Sequence, residues 1–390
     1  MKVPPETCTM TSAHPVFDAR IFCKECKSLA QNGYVVTLIA PGAVAQTREG
    51  VRLEPVPISR NRWLRMIRTP WAVYRKARRQ NAVIFHFHDP ELIPVALLLR
   101  AGGKVVIYDI HENLPQTISY KEYIPKYLRG FIAACVEIVE CRAARFFSAL
   151  VTATPGIAAR FRRFNPNVVV VHNYPRIEEI QPSPAAATPV RDNSLLYVGM
   201  RITRARGAEE MIRAMGLLPE SLSARLKLVG AWDPPRVVDS LSRLPGWDRV
   251  DFVGLLGRAE LARMLLRARA GLVILHPEPN YLTALPVKLF EYMCAGIPVI
   301  ASDLPGCREI VETARCGLVV NPKDPHDIAQ AITYLWTHPE EATAMGKRGF
   351  EAIQERYSWA SQAQILLQLY QRLSNAPLTS VETVRLRSDA

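Results

Sequence analysis

Residues Pro277 to Asp303 read PEPNYLTALPVKLFEYMCAGIPVIASD. Pro286 sits where a helix can begin, since proline is favoured at the first helical position. Val287, Phe290 and Met293 recur at helical spacing and can face a core. Gly296 ends the helix, Pro298 follows, and Val299 to Ala301 is an apolar β-branched run that reads as a buried strand. The loop before Pro286 therefore delivers a helix N-terminus. Its free N–H groups and the helix dipole make an anion site. Glu291 lies one and a half turns in, too far along to cap the helix but placed to accept bonds from vicinal hydroxyls.

The same helix–strand alternation extends in both directions. Upstream, Leu195 to Gly199, Leu226 to Gly230, Val250 to Val253 and Gly271 to Leu275 are short apolar runs between helical patterns. Earlier still come Thr9-Met10, Tyr34 to Ala40, Ala82 to Phe85, Val105 to Tyr108, Ala149 to Thr152 and Val168 to His172. Strand and helix in repeated order predict parallel sheets covered on both faces. Between the two series, Glu178 to Asp192 is rich in proline and alanine and reads as a semi-rigid linker. The expected organisation is two Rossmann-like, doubly wound α/β domains. They span 1–178 and 193–356, joined by a linker at 179–192. A helix over 357–375 returns to the first domain, and a loose tail follows over 376–390.

Composition narrows the class. The chain has 390 residues, 49% hydrophobic and 22% charged, which excludes wholesale disorder. No apolar run approaches the ~20 residues needed to cross a bilayer, and no signal-peptide pattern opens the chain. A cytoplasmic protein is the expectation. The formal charge of +13 favours phosphorylated or otherwise anionic partners. Eight cysteines are too few for a disulfide scaffold, and Cys23 and Cys26 read as reduced helix residues. No G-x-G-x-x-G follows a strand and no P-loop is present, which argues against a dinucleotide oxidoreductase and a P-loop kinase.

KLFEYMCAGIPVIASDLPGCREIV, with GLVVNPKDPHDIAQAI after it, resembles the C-terminal signature of family-4 GT-B glycosyltransferases. HPVFDARIFCKECKSLAQNGYVVTLIAPG, HFHDPELIPVALLL and VIYDIHENLP are similar in style to that family's first half, in a bacterial branch that builds cell-surface polysaccharides, lipopolysaccharide and glycolipids. The resemblance runs from about residue 8 to about 372. It implies two domains facing a central cleft, a nucleoside diphosphate sugar donor held by the C-terminal domain, and an acceptor held by the N-terminal one. It also implies retention of anomeric configuration and no essential metal or other cofactor.

Site residues follow from that resemblance. Glu291 matches the second Glu of the family's E-x7-E motif, which holds the donor ribose. The first Glu falls at Thr283, a departure that leaves the donor sugar to Thr283 and the Leu285–Pro286 backbone. Lys288 is counted with the donor site. Gly199 to Gly207, GMRITRARG, is the candidate diphosphate loop. Arg206 matches the basic residue before the family's glycine, Met200 stands where an arginine is frequent, and Arg201 or Arg204 would supply that charge. His111 matches the N-domain histidine near the reaction centre, with Asp109 and Glu112 beside it to set its tautomer or pKa. His88, Asp89, His14, Asp18 and Arg20 complete the acceptor side. A metal held by His86, His88, Asp89 and His111 is weighed and set aside.

Arg60 to Arg79 is basic with interleaved aromatics and reads either as a solvated basic surface or as a face for an anionic membrane, rather than for nucleic acid. Leu128 to Phe147 is a second amphipathic candidate, read as core packing. Two other classes stay open: a catalytically silent GT-B subunit, favoured by Thr283 and Met200, and a nucleotide-sugar epimerase using Asp109, His111 and Glu112.

Overall fold

A computed structural model describes residues 5–57, 62–119, 124–181, 190–282 and 285–375. They divide into two compact units. The first holds residues up to Asn173 and those from Gln362 onward; the second is Tyr174–Ser361.

The first unit runs β1 (Glu6–Met10), α1 (Lys27–Gln31), β2 (Val35–Pro41), β3 (Gln46–Arg48), β4 (Val51–Val56) and α2 (Arg62–Ala77). It continues with β5 (Ile84–Phe87), α3 (Ile93–Ala101), β6 (Val105–Ile110), α4 (Leu114–Ser119), α5 (Lys126–Ala144), β7 (Ala149–Thr152), α6 (Pro155–Phe161) and β8 (Val168–Val170). The sheet order is β3-β4-β2-β1-β5-β6-β7-β8, parallel except for the β3–β4 pair. The first strand is thus central, with β2 on one side and β5 on the other. Strand order reverses there, and open α/β sheets bind ligands beyond the strand ends at such a point.

The second unit runs α7 (Ile177–Ile180), β9 (Ser194–Ile202), α8 (Ala208–Gly216), β10 (Arg225–Trp232), α9 (Val237–Leu241), β11 (Val250–Gly254), α10 (Arg258–Arg267) and β12 (Ala270–Val273). Then come α11 (Pro279–Leu282), α12 (Val287–Cys294), β13 (Val299–Ser302), α13 (Pro305–Ala314), β14 (Gly317–Val320), α14 (Pro325–Thr337) and α15 (Pro339–Glu355). Helix α16 (Trp359–Asn375) is divided between the units, its residues from Gln362 onward counting with the first. The order β11-β10-β9-β12-β13-β14 puts the reversal between β9 and β12.

The structure differs from the sequence reading in four places. β3, β4 and β14 were not expected; β3 is a short, exposed, polar edge strand, which sheets use to blunt an open edge. β9 continues through Met200 and Arg201 to Ile202, so Gly199 lies inside a strand rather than opening a loop. β6 likewise continues through Asp109. Part of the supposed linker is packed structure: Ile180 is buried, Arg191 donates to the carbonyls of Leu266, Ala268, Ala295 and Gly296, and Lys227 donates to Asp192. Residues 182–189 and the tail from 376 lie outside the described residues.

Helix α12 is set by Tyr292. Its ring lies over Gly271 of β12, where an added Cβ would stand 2.2 Å from Tyr292 Cγ. Its hydroxyl accepts from Val198 N–H at 2.9 Å and donates to the Leu272 carbonyl at 3.4 Å. One side chain thereby ties the helix to both strands at the reversal. Gly271→Ala should force that ring aside and lower stability by about 1–3 kcal/mol, the usual cost of overpacking. A fall in the thermal or urea midpoint without loss of secondary structure checks it.

Candidate functional site

In the first unit, the loops after β1 and β5 meet at the strand reversal. Asp89 Oδ2 accepts from the Thr11 hydroxyl at 2.6 Å and the Ser12 N–H at 2.7 Å. His14 Nδ1 lies 3.0 Å from Asp89 Oδ1. A pocket of about 570 Å³ opens beside His14, lined by Val16, Phe17, Pro41, Val44 and Arg65 among others. Asp18 does not reach this pocket's chemistry: its carboxylate accepts from the N–H groups of Arg20 and Ile21 and caps the turn that follows. Glu112 is exposed and accepts from Thr117.

Behind the pocket lies a buried charge network. The turn Ile21–Cys26 is a π-helix, with Glu25 N–H donating to the Arg20 carbonyl five residues back. That winding puts Arg20 and Glu25 on one side, where an α-helix would not align positions five apart. Arg20 is 3% exposed and forks onto Asp109 with two 3.0 Å bonds. It also pairs with Glu25 at 2.9 Å and donates to the Val171 carbonyl. His88 Nδ1 stands 3.4 Å from Asp109 and 3.1 Å from His111 Nε2. His86 Nδ1 is 2.8 Å from the Tyr370 hydroxyl. Of this group His111 is the one partly open to solvent, with a side chain 21% exposed.

Burial pushes Asp109 up, but Arg20 and His111 outweigh it and hold it well below the carboxylate range. Burial raises Glu25 well above that range, and the Asp109 charge adds to the rise. The two shifts run in opposite directions and favour the charge on Asp109 over Glu25. Burial drives His88 down to about 4, so it stays neutral near pH 7.

Glu25, His86, His88 and Asp109 each bring one ligand atom within 4.8 Å of the others. This is not the set weighed from sequence. Asp89 faces the Thr11–Ser12 turn, and Glu25 and Asp109 stand in the place of Asp89 and His111. The Arg20 guanidinium already lies against both acidic side chains.

In the second unit, the Arg204–Arg206 turn after β9 meets the segment after β12. His276 N–H donates to the Ala205 carbonyl at 2.9 Å. Gly207 has φ +68°, and a Cβ there would stand 2.3 Å from Ile274. Of the three arginines in this turn region, only Arg206 faces inward, donating to the Tyr281 hydroxyl at 3.2 Å. Arg201 is exposed and pairs with Asp233, and Arg204 is exposed and pairs with Glu209. The structure therefore does not gather the triple-arginine loop expected from sequence. Met200 is 74% exposed.

Lys288 supplies the second cation. It is 8% exposed, its Nζ lies 3.6 Å from the Tyr197 ring centre, and it has no hydrogen-bond partner among the described residues. Burial, then the Arg206 charge, push it well below the usual lysine range. Leu285 and Pro286 lead into α12, whose start has no side-chain cap. Thr283 lies outside the described residues. Glu291 is buried, not a solvated surface carboxylate, and accepts from Arg258 Nη1 at 2.9 Å; Arg258 also binds Glu179.

Glu25, Tyr281, Arg258 and Tyr370 belong to these clusters but were not read from sequence. Glu25 was concealed by the π-turn. Tyr281, Arg258 and Tyr370 come from distant segments and carry no local spacing signal.

Residues 181–352 match the family described as glycosyl transferases group 1, and residues 19–174 match the glycosyl transferase 4-like domain. The chain belongs to the family-4 GT-B glycosyltransferases. An uncharacterized glycosyltransferase of Methanocaldococcus jannaschii is 29% identical over 183 residues, 46% of this chain and 45% of that one. The chain thus aligns with less than half the length of that relative. A phosphatidyl-myo-inositol mannosyltransferase of Mycobacterium leprae is 20% identical over 82% of this chain and 83% of its own. Among solved structures, sucrose-phosphate synthase from Thermosynechococcus elongatus superposes with a TM-score of 0.76 at 21% identity, covering 96% of this chain and 100% of that one. HepE from Anabaena, in complex with UDP and glucose, gives 0.71 at 15% identity, over 94% and 100%. At these identities the superpositions establish the GT-B fold.

In this glycosyltransferase His14 titrates above its ordinary value: burial lowers it, but the Asp89 hydrogen bond and charge more than offset that. The pair therefore adds stability that is complete below the unfolded histidine pKa and is lost as pH rises through the folded one. In Asp89→Asn the histidine should titrate at lower pH than in the wild type. Histidine ring-proton NMR over pH 5–9 checks the direction.

Proposed function

We propose that this glycosyltransferase moves a sugar, with retention, from a nucleoside diphosphate donor held by the second unit to an acceptor held by the first. The observation that carries the reading is Lys288: a buried amino group with no hydrogen-bond partner among the described residues, beside Arg206 and the uncapped start of α12. Two cations and a helix N-terminus suit a diphosphate. Glu291, held by Arg258, is placed to accept ribose hydroxyls. In the transfer step the acceptor oxygen bonds to the anomeric carbon as the bond to the β-phosphate breaks. The acceptor proton passes to the leaving phosphate. Lys288, Arg206 and the helix start stabilise the charge that develops there, so no metal is required.

On the acceptor side, His111 is held by Asp109 and His88. The pocket beside His14 is lined mainly by apolar groups with Arg65 among them, which fits a lipid-linked acceptor carrying phosphate. The mannosyltransferase relative, named for a phosphatidyl-inositol, supports the same class, and the proposed role is in lipopolysaccharide or other cell-surface glycan synthesis. Arg65, Arg68 and Arg75 of α2 would draw the chain to an anionic membrane face. Arg60 lies outside the described residues.

Calorimetry with UDP, GDP, ADP and their sugars, without metal, tests the donor site. One nucleotide should bind, and Glu291→Ala or Arg206→Ala should weaken it at least tenfold, about 1.4 kcal/mol. His111→Ala should leave that affinity within about twofold while abolishing transfer. No binding by any donor would favour the silent-subunit reading instead. A second prediction concerns protons. An anion beside Lys288 raises the pKa that burial and Arg206 hold down, so binding favours proton uptake and weakens as pH rises. Titrations in buffers of different ionisation enthalpy should show that uptake in the wild type and lose it in Lys288→Met.

A further inference from the structure

Helix α5 turns its large apolar side chains outward. Tyr127 is 83% exposed, Phe131 70%, Ile138 53% and Val139 55%. The spacing 127, 131, 134, 138 follows one helical face, and Leu128 and Cys135 widen it. The inner side is made of small residues, Ala143 and Ala144, with Cys141 and the bound carboxylate of Glu140. This inverts the usual arrangement over the first part of the helix; the core packing read for Leu128 to Phe147 holds at Cys141, Ala143, Ala144 and Phe147 but not at Leu128, Phe131, Ile138 and Val139.

We propose that this face of α5 is a docking surface for an anionic lipid bilayer. At 19 residues the helix is about 28 Å long. None of the described helices is long and apolar enough to cross a membrane, so α5 would lie in the interface. Charge decides for lipid over a protein partner. Lys126, Arg142 and Arg145 border the apolar arc, and all three are exposed. The acidic side chains of the helix are answered by cations: half-exposed Glu137 pairs with Arg160, and Glu140 is buried against Tyr108 and Arg160. The apolar surface continues past the helix end through Phe146, 61% exposed, and onto the adjoining α3 through Leu98, 43% exposed. Helix α2 packs on α3 and adds Ile67 and Trp71, also exposed, with its own arginines. In this arrangement α2 supplies attraction, and α5 supplies the inserted apolar groups. The proposal does not rest on the transferase reading, because vesicle binding is read without a donor.

The test is co-sedimentation of the full chain with phosphatidylcholine vesicles, with and without 30% phosphatidylglycerol. The wild type should bind the anionic vesicles and lose affinity as salt rises. The double variant Phe131→Glu/Ile138→Glu should bind at least tenfold more weakly, with an unchanged melting temperature, since both positions are exposed. Arg142→Glu/Arg145→Glu should reduce the preference for anionic lipid and leave binding to it weaker but present, since the arginines of α2 remain. Three outcomes overturn the proposal: no wild-type binding to anionic vesicles, equal binding by Phe131→Glu/Ile138→Glu, or loss confined to Ile67→Glu/Trp71→Glu in α2. A dimer in sedimentation equilibrium that Phe131→Glu/Ile138→Glu dissolves, without vesicle binding, would assign the face to a second copy instead.

Discussion

The Arg20 guanidinium, buried against Asp109 and Glu25, is the constraint around which the first unit's functional end is arranged. A buried cation is costly unless its neighbours neutralise it and satisfy its donors. Asp109 therefore has to lie inside β6, aimed at Arg20, and the chain has to wind as a π-turn so that Glu25 reaches the same point. Once Asp109 is fixed there, His88 and His111 take their orientation from it. The residue open to solvent, His111, is thus held by groups that are not, which is how a side chain near a strand end keeps one geometry.

Much of this arrangement was legible in the chain. The alternation of apolar runs with helical patterns gave the two parallel sheets, because strands buried on both faces must be apolar throughout. His111 and Arg206 could be placed because they follow strand ends, where sequence position and spatial position nearly coincide, and Glu291 by helical count from Pro286. Other features were hidden for physical reasons. Arg20 and Glu25 are five apart, a spacing that signals nothing unless the backbone is known to widen. Arg201, Arg204 and Arg206 look equivalent in sequence, but the extension of β9 and the left-handed Gly207 turn only Arg206 inward. β3 was invisible because its three residues are polar and exposed, held by pairing with β4 rather than by burial. α5 was misread because counting apolar residues at helical spacing identifies a face without saying what it faces.

The two units solve opposite electrostatic problems with similar topology. In each, the first strand in sequence is central and the strand order reverses beside it, so the loops that follow the paired strands converge. In the first unit the convergence is internally neutral: Arg20 answers Asp109, His14 answers Asp89, and Glu25 keeps its proton. In the second it is not. Lys288 and Arg206 are brought together, and Glu291 is already committed to Arg258. Folding a lysine into a place where its ammonium has no partner costs stability in every molecule. A chain that can neutralise a buried arginine so completely in one sheet has the means to do the same in the other. That it leaves Lys288 without a hydrogen-bond partner marks where the proposed diphosphate would bring its charge. The arriving group has to be an anion, small enough to reach the start of α12 and multiply charged enough to answer both cations. A diphosphate meets those conditions, and a single carboxylate does not.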